Sequence, residues 1–173
     1  MSSGITPTTP GPDPEPDLGP DPEPCITLAG LLFETAAGLR RSLEPSLACL
    51  AGPGAPWFEV LIRLRRTPGN RLRMADLAAQ TTLTPSGLTR AVDRLVHLGL
   101  VSREACADDR RGAYAALTTE GERVMDDALP RHADAVRELL GGVLPLEEQL
   151  TLAAILRKLR DHVNPGAAAL SRD

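Results

Sequence analysis

Aromatic residues and cysteines are both scarce in this sequence. The chain has one Trp, one Tyr and two Phe, which together make up 2% of its residues, and it has three Cys. An odd, sparse set of Cys does not make a disulfide framework, so we expect reduced thiols in a cytoplasm. Aliphatic residues must then form any core, and a hydrophobic share of 42% in 173 residues is enough to bury one. This composition argues against disorder over the whole chain.

Long apolar runs are missing as well. No run approaches the roughly 18–20 residues of a membrane span. The most apolar stretch, 26–39, carries Glu34, and residues 1–4 have neither a basic region nor an apolar segment. We therefore expect neither a secretory signal nor a membrane partner.

Lysine is nearly absent, because 18 of the 19 basic residues are Arg. Residues 1–24 carry five acids and no base, whereas residues 57–111 carry ten Arg and six acids. Arg suits bidentate contacts with phosphate and guanine, although a GC-rich genome would produce the same bias. The positive excess in 57–111 is compatible with a nucleic-acid partner but does not require one.

Residues 1–24 differ in composition from the rest of the chain. They contain eight of the 16 Pro, and the pentapeptide Pro-Asp-Pro-Glu-Pro occurs at 12–16 and again at 20–24. Proline favours an extended backbone and the acids repel one another, so we predict a disordered acidic tail. The tail either competes with DNA for the protein's own basic surface or only increases solubility.

Apolar residues recur at helical spacing through most of the remaining chain. Thr119 and Glu122 have the spacing of a capping box, and Pro130 predicts a kink in the helix that follows. The predicted helices cover 25–43, 56–66, 74–80, 85–98, 119–140 and 146–163.

Residues 74–99 carry the most informative pattern. A short helix is followed by a tight link at 81–83 and by a second helix, which Thr84 caps, Pro85 begins and Gly99 ends. The second helix has an apolar face formed by Leu88, Val92, Leu95 and Val96. Its other face has small polar and charged side chains: Ser86, Thr89, Arg90, Asp93 and Arg94. This arrangement is typical of a helix-turn-helix, whose second helix fits the major groove of B-DNA, about 12 Å wide.

The following segment predicts a β-hairpin, with strands at 100–106 and 113–117 and a polar tip between them. Arg110 and Arg111 lie at that tip, where an Arg can enter a narrow minor groove. The predicted fold is therefore mainly α with a small β-hairpin wing: a winged helix-turn-helix domain with further helices before and after it.

Five runs in this order resemble the MarR family of bacterial transcription regulators: Arg71-Leu-Arg-Met-Ala-Asp-Leu-Ala-Ala-Gln, Leu83-Thr-Pro-Ser-Gly-Leu-Thr-Arg-Ala-Val-Asp-Arg-Leu, Gly99-Leu-Val-Ser-Arg, Asp109-Arg-Arg-Gly and Leu117-Thr-Thr-Glu-Gly. The resemblance covers about 26–163. It implies a homodimer whose first and last helices form the dimerisation domain, with two lobes that read a palindrome. It also implies that a small-molecule or redox signal often releases the DNA.

The implied domains are an acidic tail at 1–24, a dimerisation helix and connector at 25–56, the winged helix-turn-helix domain at 57–118, C-terminal helices at 119–163 and a flexible tail at 164–173.

The resemblance also assigns roles to residues. Ser86, Thr89 and Arg90 match the family's groove-facing positions, and Arg94 and Asp109 match positions that pair by charge to hold helix and wing together. The remaining Arg of 57–111 reach phosphates only if they face DNA. The candidate DNA-binding residues are Ser86, Thr89, Arg90, Arg94, Arg110, Arg111 and Arg73, with Asp109 as a wing-stabilising residue.

Effector pockets of the family lie between the DNA-binding lobe and the dimer helices. The candidate pocket residues here are Phe33, Arg40, Trp57, Phe58 and Leu61, although aromatic residues on helix faces are more often core. Cys25 is a weak candidate for a redox sensor, because the peroxide-sensing branch pairs its Cys with Tyr and the single Tyr114 lies in the wing.

Metal and catalytic sites are not indicated. His97, His132 and His162 have no Cys or His partner three or four residues away, and no Gly-rich phosphate loop follows a strand. We therefore predict no catalytic residue, no metal and no cofactor. The helix-turn-helix pattern and the resemblance together imply a dimeric, sequence-specific regulator that binds a palindromic double-stranded operator, is released by a small-molecule effector and acts as a repressor. The alternatives are an activator of the same fold and a winged-helix module that binds proteins, which would not need Arg on both helix and wing.

Overall fold

The computed structural model describes residues 22–48, 50, 55–105 and 113–166. They divide into two compact units, one that extends to Leu39 and one that begins at Arg40. The helices are α1 (Pro22–Leu43), α2 (Ala55–Arg65), α3 (Met74–Gln80), α4 (Pro85–His97), α5 (Thr119–Gly141) and α6 (Leu146–Val163). The strands are β1 (Arg71–Arg73), β2 (Val101–Ala105) and β3 (Ala113–Leu117), and single 3-10 turns cover Glu44–Leu47 and Pro68–Asn70. This confirms the mainly helical class with a small sheet.

The first unit consists of most of α1. Glu23 in its first turn favours the helix because an acid there interacts with the helix dipole. Its large apolar side chains are exposed in the single chain: Ile26, Leu28, Leu31, Leu32 and Phe33. These side chains lie on different sides of α1, so the described part of the chain leaves several sides of this helix apolar and exposed.

The second unit has one hydrophobic core, and aliphatic residues dominate it, as the scarcity of aromatic residues requires. The largest fully buried side chains come from α2, α3, α4, β2 and α5 and from the chain before α2: Leu50, Val60, Leu61, Leu64, Leu77, Leu88, Val92, Leu95, Val101 and Met125. Trp57 also belongs to this core. Val96, which the sequence pattern assigned to the apolar face of α4, is instead exposed.

The sheet has three strands in the order β1-β3-β2, all antiparallel, whereas the sequence predicted a two-stranded hairpin. The register pairs Arg73 with Tyr114 and Tyr114 with Glu104, and the last pair towards the tip is Ala105 with Ala113. The prediction missed β1 because three residues contain too little alternation to reveal a strand. Its pattern is exposed, buried, exposed, so only Leu72 points into the core.

Thr118 caps α5, which corrects the capping box predicted for Thr119 and Glu122. The Thr118 hydroxyl accepts from the backbone N–H of Gly121 at 3.0 Å and donates to the carbonyl of Gly99 at 2.6 Å. A Cβ on Gly121 would lie 2.0 Å from the carbonyl oxygen of Leu100. Only Gly therefore allows the start of α5 to approach the residues that link α4 to β2.

Helices α5 and α6 follow the predicted bounds closely, and α5 runs through Pro130 as one helix. No residue of α6 is buried, and its apolar side chains are exposed: Leu146, Leu150, Leu152, Ile155, Leu156, Leu159 and Val163. Within the described ranges no single helix is both long and apolar enough to cross a membrane, and α5 and α6 meet these two conditions only as a pair, across a bend of 108°.

Candidate nucleic-acid interface

Helices α3 and α4 form the helix-turn-helix that the sequence predicts. Thr84 caps α4 by accepting from the backbone N–H of Gly87 at 3.1 Å, and Pro85 is the first helical residue. Gly99, with φ of +72°, follows the helix end in the left-handed region that glycine tolerates. Both ends of α4 are therefore fixed by the local sequence.

The turn between α3 and α4 is tied to α2, a contact that sequence reasoning missed. The Glu59 carboxylate accepts from the Thr82 backbone N–H at 2.7 Å and from the Thr82 hydroxyl at 2.8 Å. Thr81, which is buried, donates its hydroxyl to the carbonyl of Leu77 at 3.0 Å. Because the turn is anchored at two points, the direction of α4 is set by α2 and α3 together.

The exposed face of α4 carries the side chains that the sequence assigned to the DNA groove. Ser86, Thr89 and Arg90 are all exposed, while Leu88 and Val92 face the core. The Thr89 hydroxyl donates to the carbonyl of Pro85 at 3.0 Å, which holds this short side chain against its own helix. In the part of the chain that the structure describes, Arg90 makes no ion pair, so its guanidinium is available to a partner.

Within the described residues an ion pair links α4 to the wing strand β2. A carboxylate oxygen of Asp93 in α4 lies 2.8 Å from a guanidinium nitrogen of Arg103 in β2. The guanidinium carbon of Arg94 lies 6.0 Å from the centre of the Trp57 ring. The predicted wing-tip residues Asp109, Arg110 and Arg111 lie outside the described residues. The pairing of Arg94 with Asp109 and the role of the tip stay predictions.

The face of the sheet turned away from α4 carries a cluster of three exposed or half-exposed charges around one ring. Arg71 stacks over Tyr114, with 4.7 Å between its guanidinium carbon and the ring centre, and the same distance for Arg73 is 5.6 Å. The Arg73 Nε–H donates to the Tyr114 hydroxyl at 3.1 Å. A guanidinium nitrogen of Arg71 lies 3.5 Å from a carboxylate oxygen of Glu104. We call Arg71, Arg73, Tyr114 and Glu104 the outer-face cluster.

Comparison with known proteins agrees with this geometry. The MarR family model matches residues 51–112. Transcriptional regulator HosA from Escherichia coli is 33% identical over 105 residues, which are 60% of this chain and 75% of HosA. Sco3205, a MarR family transcriptional regulator from Streptomyces coelicolor solved in complex with DNA, superposes with a TM-score of 0.72 and 35% identity, covering 82% of this chain and 91% of Sco3205.

The chain belongs to the MarR family. Its members named above are transcriptional regulators rather than enzymes. A mutant MarR from Escherichia coli complexed with operator DNA is 29% identical with a TM-score of 0.69, and the match covers 78% of this chain and 94% of that protein.

This MarR-family chain has a cleft of about 520 Å³ within its second unit. Its walls are mostly apolar, and it is lined by Phe58, Ile62, Arg66, Leu129, His132, Ala133, Val136, Arg137, Leu140 and Gln149. Of the predicted pocket residues only Phe58 lines it, because Trp57 and Leu61 are buried in the core. Arg40 and Phe33 are exposed.

His132 lines this cleft, and burial lowers its pKa. The Ser46 hydroxyl donates to the carbonyl of Leu43 at 2.6 Å, so its oxygen accepts from Nδ1–H of His132 at 2.7 Å. Neutral His132 then carries its proton on Nδ1 and keeps an acceptor lone pair on Nε2. Among the described residues no group of three His, Cys, Asp or Glu has the arrangement of a metal site.

Proposed function

We propose that this transcriptional regulator is a homodimer that binds double-stranded DNA sequence-specifically at a palindromic operator. The observation that carries the proposal is the exposed face of α4, where Ser86, Thr89 and Arg90 stand free of the core on a helix fixed at both ends. Short side chains let a helix approach the base edges closely, and an Arg offers two parallel donors to guanine. A cytoplasmic location follows from DNA as the partner, and DNA binding of this kind requires neither metal nor cofactor.

The residues of the interface have different roles in this proposal. Ser86, Thr89 and Arg90 enter the major groove, and Arg110 and Arg111 at the wing tip enter the neighbouring minor groove. Arg94 and Arg73 contact phosphates, and Asp109 stabilises the wing. Phosphate contacts set the position of the protein, whereas contacts with base edges set the sequence preference.

The dimer is proposed from two apolar faces that the single chain leaves in water. Five large apolar side chains of α1 and seven of α6 are exposed, and Phe33 is exposed by 76%. A second copy that covers both faces would bury an apolar area typical of an obligate dimer. Two copies also bring two α4 helices to one duplex, which matches the two half-sites of a palindrome.

The effector is proposed to bind in the cleft of α2, α5 and α6 and to release the DNA, so that the protein acts as a repressor. Phe58 lines this cleft, and its neighbour Glu59 holds the turn of the helix-turn-helix. A ligand that displaces α2 therefore changes the anchoring of α4.

The experiment is a titration of the full chain against two duplexes, one with an inverted repeat from the DNA that flanks the gene and one with the repeat scrambled. We expect tighter binding to the repeat and a log–log salt slope of several units, because a dimer neutralises on the order of 6–10 phosphates. A slope shallower than about two, or equal affinity for both duplexes, contradicts the proposal. Reporter expression that falls on deletion of the gene would assign an activator rather than a repressor.

A further inference from the structure

Two consecutive hydrogen bonds decide which nitrogen of His132 carries the proton. The Ser46 hydroxyl has a single proton and lies 2.6 Å from the carbonyl oxygen of Leu43, which can only accept. The oxygen of the same hydroxyl lies 2.7 Å from Nδ1 of His132, so it must accept there. This network assigns the proton of neutral His132 to Nδ1 and leaves Nε2 as an acceptor.

The His132 ring is restrained by a second contact. Its centre lies 4.6 Å from that of the Phe58 ring, with the two planes inclined by 57°, and both residues line the cleft. Burial lowers the pKa of His132, so the ring is neutral at neutral pH. Nε2 has no hydrogen-bond partner among the described residues, and it is not one of their buried unpartnered atoms. A ligand in the cleft can therefore reach this lone pair.

The other polar residues that line the cleft offer weaker selection. Arg66 and Arg137 are exposed, and Arg137 is already in an ion pair within α5. Exposed guanidinium groups stay hydrated, so a contact with them stabilises a ligand little. Gln149 donates one amide N–H to the carbonyl of Leu144 at 2.8 Å. His132 is half-buried, where a hydrogen bond that is not made costs more than on the surface.

We propose that Ser46 is a positioning residue that fixes His132 as a hydrogen-bond acceptor, so that the cleft selects mostly apolar ligands that carry an O–H or N–H donor. The inference rests on the proposed effector site and specifies the chemistry of its ligand. An analogue of the same shape with an acceptor in place of the donor would set its lone pair against that of Nε2. The apolar walls, which include Phe58, Ile62 and Leu129, would bury the rest of either molecule equally well.

The first measurement needs no ligand. Long-range ¹H–¹⁵N NMR spectra of the full chain distinguish the protonated from the unprotonated nitrogen of an imidazole, and His132→Phe identifies the signals of His132 by their loss. At neutral pH we expect the proton on Nδ1 in wild type and a mixture of both tautomers in Ser46→Ala. Ser42→Ala is the matched control, because Ser42 is exposed and does not contact the ring, and it should keep the proton on Nδ1.

The second measurement compares two probes of the same shape by equilibrium dialysis. Indole donates through its N–H, and benzofuran has an ether oxygen in that position. Wild type should bind indole roughly 3–10-fold more tightly than benzofuran, as expected for one hydrogen bond. Ser46→Ala should bring this ratio close to one, whereas Ser46→Thr keeps the hydroxyl and should keep the ratio. His132→Phe should weaken the binding of indole and leave that of benzofuran nearly unchanged.

Each contrary result has a distinct meaning. A proton on Nε2 in wild type, equal affinity of wild type for both probes, or a ratio that Ser46→Ala leaves unchanged would overturn the inference. Binding of neither probe would overturn the cleft as an effector site, and the inference with it. Indole should also weaken binding of the inverted-repeat duplex more than benzofuran does. Selective binding of indole with duplex affinity unchanged would overturn the proposed release of DNA and support the selectivity.

Discussion

Glu59 and Thr82 form a two-point contact between α2 and the turn of the helix-turn-helix, with donor–acceptor distances of 2.7 and 2.8 Å. One carboxylate thereby accepts both the backbone and the side-chain proton of the same residue. Such charge-assisted contacts are shorter and stronger than neutral ones. The contact explains how a turn as short as 81–84 holds α4 in one direction.

Glu59→Ala should therefore destabilise the protein and weaken DNA binding. Two hydrogen bonds are lost, but the site is exposed, so we expect a decrease of about 1–2 kcal/mol in the free energy of unfolding. Glu59→Gln is the control, because its amide oxygen can still accept from the Thr82 backbone N–H, and it should lose about half as much. Urea unfolding measures the stability of both variants, and titration with the duplex measures their DNA binding. Equal stability of wild type and Glu59→Ala would show that other contacts hold the turn.

Gly121→Ala should be one of the most destabilising small substitutions in the chain. The added Cβ would lie 2.0 Å from the backbone oxygen of Leu100, which cannot rotate away. We expect a loss of about 3 kcal/mol or more, because the start of α5 must shift. Gly141→Ala is the matched control in the same helix: its Cβ has no atom within 4 Å, and it should stay within about 1 kcal/mol of wild type. Similar losses for both would refute the role of close approach.

The fold could be predicted from the sequence wherever a long periodic pattern decides the structure. The bounds of α6 were predicted exactly as 146–163, and Thr84, Pro85 and Gly99 identified α4 by the chemistry of their side chains. Adjacent Thr118 and Thr119 are equally good caps in sequence. Only the contact of Thr118 with Gly99 decides between them, and that contact depends on tertiary structure.

In the candidate site, too, some residues could be placed from the helical period, whereas others depend on contacts between elements. The exposed face of α4 follows from the helical period, so Ser86, Thr89 and Arg90 could be placed together. Long-range contacts could not be predicted. Glu59 is far from Thr82 in the chain, and Arg73 is far from Tyr114, so the two members of each pair meet only when the elements pack. The burial of Trp57 and Leu61 in the core could not be predicted either, because helical spacing alone does not distinguish a residue of the core from one that lines a cleft.

Stability should fall in mild acid, and His132 should account for part of the decrease. Burial lowers its pKa in the folded protein below the ordinary value of about 6.5. Below that value the unfolded chain takes up the proton first, so the stabilisation that is present at neutral pH is lost as the pH falls through the folded pKa. Unfolding free energies measured between neutral pH and about pH 5 should decrease less for His132→Gln than for wild type.

Leu156→Asp should separate the proposed dimer. The substitution puts an unpaired carboxylate into an apolar face of α6 that the second copy is proposed to cover. Sedimentation should give twice the chain mass for wild type and the single mass for the variant at micromolar concentration. Lys158→Asp, on the opposite and polar face of the same helix, should remain dimeric. A wild-type monomer that still binds a palindrome tightly would contradict the architecture.

Arg90→Ala and Arg111→Ala should affect DNA binding in different ways, because a helix in the major groove and a wing in the minor groove read different properties of the duplex. Arg90 is an exposed donor of α4 that makes no ion pair within the described residues, and its loss should cost roughly 1–3 kcal/mol on the operator. If Arg90 reads a base, the loss on a scrambled duplex should be much smaller, whereas a pure phosphate contact would weaken both alike. Arg111→Ala should weaken binding according to minor-groove width, so that replacing an A·T-rich flank of the operator by G·C lowers wild-type affinity more than that of the variant. Operators substituted separately in the half-site core and in the flank measure both effects. An Arg111→Ala protein that matches wild type on every operator would remove the wing tip from the mechanism and leave recognition to α4.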